Sequence, residues 1–140
     1  GHCIDYGTSI ELMINLGGGK VIEAGYSNVC TGEHILTKKT ENTAAVLYVK
    51  SHHTVQKSML SIEEAIEISH SLEVPVIFDA AAEEDLRVYI EKGADIVIYS
   101  GSKAIGGPTS GLIIGKKKYI DMILLQNKGV HYDKRCIRLF

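Results

Sequence analysis

The sequence predicts an α/β fold, a mostly parallel sheet with helices on both faces. Three observations carry this expectation. Short apolar runs recur at Ala44 to Val49, Val74 to Phe78 and Ala94 to Ile98, without the strict alternation of a strand that is wet on one side. Helix-period segments lie between the runs, so successive strands are joined by crossovers and run parallel. The runs close on polar residues, Lys50, Asp79 and Ser100. These belong to the carboxyl edge, where open α/β sheets hold ligands.

Ser9 is placed to cap a short helix through Ile10, Met13 and Ile14, stopped at Gly17, because a serine oxygen accepts a free N–H of the first turn. Gly17-Gly18-Gly19 precedes a strand instead of following one, so it reads as a helix stop and turn, not a phosphate loop. Lys20 to Ala24 is expected to be a strand, Thr31 to Lys39 a polar helix or turn, and Thr40 to Thr43 a loop. Strands are expected over 44–49, 74–79 and 94–99.

Ser61 and Glu64 form a capping box. The helix they open carries Ile62, Ala65, Ile66, Ser69 and Leu72 on one face, a core stripe, and Glu63, Glu67 and His70 on the wet side. Glu84 and Asp85 are expected in the first turn of a helix through Val88, Tyr89 and Ile90, where carboxylates favour the helix dipole, whereas Glu83 lies nearer the strand mouth, within reach of a substrate. Gly93 stops that helix. Leu112-Ile113-Ile114 is a further strand. Lys116-Lys117-Lys118 reads as a solvated basic run opening a helix from Tyr119 to Leu125, ended by Gly129.

Composition bounds the function. The 140 residues are 45% hydrophobic and 23% charged, enough for one domain with a real core. A net charge of −2 gives no basic field for nucleic acid. No apolar run approaches the roughly 20 residues of a membrane span, and no signal peptide is expected. Cys3, Cys30 and Cys136 are odd in number and lack metal spacing, which suits free thiols in a reducing cytoplasm and predicts no metal site.

Chemistry concentrates at two strand ends. Lys103 lies in the glycine-rich turn Ser100-Gly101-Ser102-Lys103-Ala104-Ile105-Gly106-Gly107-Pro108, just after one buried strand, and Asp79 closes another. With one helix-like segment between them, both side chains belong to the same sheet edge. Pyridoxal phosphate needs this pairing: a lysine for the Schiff base and an acid against the pyridinium nitrogen. Hydroxyls and glycine N–H groups nearby suit a phosphate. A nucleotide P-loop pattern fails around Gly115, because position 110 is Ser and Lys117 follows Lys116.

Ser100-Gly101-Ser102-Lys103 with Gly106-Gly107-Pro108 resembles the cofactor-lysine segment of fold type I pyridoxal-phosphate enzymes. The branch it resembles holds bacterial selenocysteine synthase and D-glucosaminate-6-phosphate ammonia-lyase. Gly17 to Tyr26, Tyr48 to His53 and Asp79 to Glu84 are similar to the ammonia-lyase side. The resemblance implies a fold type I large domain with 112–114 antiparallel. It implies Lys103 and Asp79 as catalytic residues and as holders of pyridoxal 5'-phosphate, and Ser100 and Ser102 on the phosphate. Gly107 would offer its N–H to the phosphate of a neighbouring subunit, hence a homo-oligomer, a dimer or larger. Ala81, in the small run Ala80-Ala81-Ala82, would lie beside the ring and leave room for a sugar chain.

Ser51 and one of His52 and His53 would lie near the ring or substrate, because their strand ends at the ligand edge. Adjacent histidines on extended chain point opposite ways and make a poor metal pair. The implied reaction is elimination of ammonia from a phosphorylated amino-sugar acid to give a 2-keto acid, with a small-molecule substrate and no membrane. Two alternatives stay open: a tRNA-dependent selenium transferase, and a truncated scaffold that binds no cofactor. Fold type I subunits are longer than this chain. Residues 1–140 are therefore expected to be the central part of the cofactor-binding large domain, without its N-terminal portion and small C-terminal domain.

Overall fold

The computed structural model describes residues 9–26, 29–50 and 59–129. Helix α1 spans Ile10–Leu16, and the Ser9 hydroxyl accepts the Leu12 N–H as expected of its cap. Gly17 ends it, and Gly18 and Gly19 donate back to the Asn15 and Ile14 carbonyls. The three glycines are thus a helix stop.

The strand expected over 20–24 does not form. Those residues take no part in the sheet, and the one pairing nearby is an isolated antiparallel bridge between Tyr26 and Val29. Just before the bridge the chain bends at Gly25, whose φ is +74° and where a Cβ would stand 2.7 Å from the Val29 carbonyl oxygen. A strand running on through this point would lose that turn, so local turn geometry wins over apolar pattern. Helix α2, Gly32–Lys38, follows, with His34 Nδ1 accepting the Thr31 N–H.

The sheet has four strands in the order β1 (Val46–Val49), β2 (Val76–Asp79), β3 (Ile96–Ser100) and β4 (Gly111–Gly115). The β1–β2 and β2–β3 pairs are parallel, and β3–β4 is antiparallel. The crossovers carry α3 (Ile62–Ser71) and α4 (Val88–Glu91). A short α5, Gly101–Ala104, follows β3, and α6, Lys117–Gly129, follows β4.

The α3 capping box is present: Ser61 Oγ accepts the Glu64 N–H and Glu64 accepts the Ser61 N–H at 2.8 Å. Ala65, Ile66 and Ser69 of its expected stripe are buried, and Ser69 donates to the Val74 carbonyl. Helix α4 is shorter than expected. The Asp85 carboxylate accepts the Arg87 and Val88 N–H groups, so Glu84 and Asp85 precede the helix instead of forming its first turn. A short acidic side chain that bonds nearby backbone favours a turn before the helix over its interior.

One sheet face packs on α3 and α4. Its centre is a row of rings, Tyr48, Phe78, Tyr89 and Tyr99, with successive centroids 5.3, 5.0 and 6.4 Å apart. Tilted and edge-on contacts at such distances add to area burial. The hydroxyls at both ends are satisfied: Tyr48 donates to the Leu60 carbonyl and Tyr99 to that of Asp85. Ala80 is fully buried in the same core. On the other face Leu47 and Val49 of edge strand β1 stay 37% and 40% exposed. No described helix is long and apolar enough to cross a membrane.

Candidate active site at the carboxyl edge

Period-two alternation places the site. Phe78 and Tyr99 point into the aromatic row, so Asp79 and Ser100, one residue on, face the opposite side. The register pairs Asp79 with Ile98, two residues before Ser100 on the same face. The ladder runs to its last rung here: Ala80 N–H donates to the Ile98 carbonyl at 2.8 Å, and Lys50 N–H to the Asp79 carbonyl at 2.9 Å. Asp79 is half-buried, and its Oδ1 accepts the Ala81 N–H at 3.1 Å. That bond fixes the carboxyl orientation without occupying the whole group.

The chain leaves β3 directly into α5. Ser100 and Ser102 hydroxyls meet at 3.0 Å, on either side of buried Gly101. Lys103 is exposed on this one-turn helix. The loop behind it folds back: Gly101 N–H donates to the Ser110 carbonyl at 2.8 Å, and the Gly101 carbonyl accepts from Ile105 and Gly107. Asp79, Ser100, Ser102 and Lys103 therefore share the carboxyl edge of neighbouring parallel strands. Ala81 is beside them, half-buried, whereas Ala80 belongs to the core and leaves no space at a ligand. The Gly107 N–H is engaged at 3.1 Å by the Gly101 carbonyl within the chain. Ser51, His52 and His53 lie outside the described residues; the described chain reaches this edge at Lys50.

Electrostatics set the opposite edge apart. Asp95, reading in sequence as part of an apolar strand, is 3% exposed just before β3. Its carboxylate accepts from Lys116 Nζ at 2.6 Å, His70 Nε2 at 2.8 Å and the Val76 N–H at 2.9 Å. Burial raises its pKa, but the Lys116, Val76 and His70 bonds outweigh burial and hold it below the ordinary carboxylate value. Lys116 is thus not simply part of a solvated run, and His70 is not simply wet. The available signal was one carboxylate at the start of an otherwise apolar strand. A shallow groove of about 260 Å³ lies beside this network, between His70, Glu73, Asp95, Lys116 and Tyr119. It is at the amino edge, across the sheet from Asp79. Among the described residues no cluster of metal-ligating side chains occurs.

A family profile described as SelA: L-seryl-tRNA selenium transferase matches residues 4–138. The chain belongs to the SelA family. Within it, this SelA-family chain is 49% identical over 130 residues to D-glucosaminate-6-phosphate ammonia lyase of Salmonella typhimurium, covering 93% of this chain and 35% of the relative. It is 41% identical over 132 residues to a 5'-C-glycyluridine monooxygenase-decarboxylase of Streptomyces, covering 93% and 33%. Against an L-seryl-tRNA(Sec) selenium transferase of Caldanaerobacter subterraneus it is 31% identical over 160 residues, covering 98% and 34%. A solved structure of D-glucosaminate-6-phosphate ammonia-lyase superposes with a TM-score of 0.82 at 49% identity, covering 89% of this chain and 34% of that one. The SelA-family chain spans about a third of the length of these relatives.

Proposed function

We propose that this SelA-family chain is the central part of the cofactor-binding large domain of a pyridoxal-phosphate-dependent carbon–nitrogen lyase. Its substrate would be a phosphorylated amino-sugar acid of the D-glucosaminate-6-phosphate type. The carrying observation is the 49% identity to D-glucosaminate-6-phosphate ammonia lyase across 93% of the chain. It exceeds the 31% to the selenium transferase. The donor set at the carboxyl edge fits the cofactor in kind: an amine, a carboxylate and paired hydroxyls on adjoining turns.

The cofactor supplies an electron sink for charge developing at the amine-bearing carbon. Lys103 Nζ would hold it covalently. The Lys103 amine would also take the proton from carbon 2 of the substrate. Asp79 would keep a proton on the ring nitrogen through a charge-assisted hydrogen bond. The Ser100 and Ser102 hydroxyls would bind the phosphate, and Ala81 would lie against the ring. Ser51 and one of His52 and His53, which follow β1 in sequence, would complete the site. Loss of the β-hydroxyl as water, followed by addition of water across the C=N bond of the resulting imine, would release ammonia and a 2-keto acid. For Gly107 to serve a neighbouring subunit's phosphate in a homo-oligomer, its N–H must leave the Gly101 carbonyl.

The test is a direct assay of the whole protein. With D-glucosaminate-6-phosphate it releases ammonia and keto acid in equal amounts, without tRNA. Selenocysteinyl-tRNA from seryl-tRNA and selenophosphate, with no keto acid, transfers the function to the selenium-transferase reading that the family name supports. No cofactor uptake and no turnover leaves a scaffold.

A further inference from the structure

We propose that Gly101 and Ser110 act as one positioning unit for Lys103, sharing a volume that holds only one side chain. This rests on the reading that Lys103 carries the cofactor. Gly101 starts α5, two residues before Lys103, and is buried. Both of its backbone polar groups are taken: its N–H by Ser110, its carbonyl by Ile105 at 3.3 Å and Gly107 at 3.1 Å. The loop 105–110 is therefore clasped to the residue that separates Ser100 from Ser102.

Glycine is needed here for space. Gly101 is not among the glycines with positive φ, which are Gly18, Gly25, Gly93 and Gly106. A Cβ at 101 would instead stand 2.2 Å from Ser110 Oγ, 3.2 Å from its carbonyl oxygen and 3.4 Å from its Cβ. Only the first of these is a hard collision. That hydroxyl donates to the Pro108 carbonyl at 2.9 Å, so swinging it aside breaks that bond. An added methyl must break that bond or push α5 away from the loop, and the Ser110 carbonyl and Cβ at 3.2 and 3.4 Å leave little slack either way. Ser100, Ser102 and Lys103 would move together, off the edge they share with Asp79.

The collision is with one atom, so removing that atom compensates. The whole protein is made as Gly101→Ala, Ser110→Ala and the double variant. The first readout is the yield of borohydride-reduced pyridoxyl label on Lys103. The second needs no cofactor: amide exchange at Ile105 and Gly107, which donate to Gly101. Gly101→Ala is expected to cut the label about tenfold and to speed both amides about tenfold, from an overpacking strain of this class. Ser110→Ala, which loses the Pro108 bond, cuts the label about twofold. The double variant recovers to within about threefold of the unaltered protein, a non-additivity that marks a shared contact. If Gly101→Ala alone fails to fold, the double variant must still fold.

Additive losses in both readouts, or a double variant that does not fold, overturn the unit. Coupled exchange rates with an unchanged label overturn positioning. No label on Lys103 in the unaltered protein overturns the cofactor reading instead, and exchange then judges the packing unit alone.

Discussion

Asp95 and Lys116 meet at 2.6 Å at the amino edge of the sheet, where the Asp95 carboxylate also takes the first N–H of β2 from Val76. One buried group thus ties the starts of β2 and β3 to the end of β4. Asp95→Asn is expected to cost about 2 kcal/mol, because it weakens bonds made by a charged acceptor. The pH dependence follows in sign. The folded pKa lies below the unfolded value of about 3.9. The contribution is therefore complete above that pH and is lost as pH falls through the depressed folded value. Denaturant midpoints measured from pH 7 to pH 2 check both; an Asp95→Asn protein with unaltered acid sensitivity removes Asp95 from the account.

Lys103→Ala is expected to abolish the borohydride-reducible pyridoxyl label, read by peptide mass mapping. A label on Lys20, Lys50 or Lys116 instead would show that the cofactor is held elsewhere.

Asp79→Asn should keep bound cofactor and lose about 100-fold in turnover, about 2.7 kcal/mol of barrier at 1.36 kcal/mol per decade. An amide cannot hold a positive ring N–H as a carboxylate does. Near-normal kcat would refute the role.

Tyr99 is neutral at all physiological pH: burial, then the Asp85 and Glu83 charges, push its pKa up to about 12. Tyr99→Phe leaves the Asp85 carbonyl without that donor and is expected to cost about 1 kcal/mol. The ring stays in the aromatic row, so the Lys103 label should persist. A Tyr99→Phe protein as stable as the unaltered one would show that water replaces the bond.

Much was legible in the sequence because its causes are local. Capping pairs such as Ser61 and Glu64, the stop at Gly17 and the apolar strands each act within a few residues. Strand-to-strand order placed Asp79 and Lys103 at one edge, since two parallel strands with a crossover between them put their carboxyl ends together. Tertiary structure decided what depends on partners distant in sequence. The apolar pattern of 20–24 could not reveal that the neighbouring chain turns at Gly25 instead of joining the sheet. Asp95 and Lys116 are 21 residues apart and looked like a strand residue and a wet lysine. Gly101 read only as part of a glycine-rich turn whose N–H groups suit a phosphate, and it is also a close contact, with Ser110 Oγ 2.2 Å from where its Cβ would go. Periodicity reports which side a residue faces; only the packed chain decides what occupies that side.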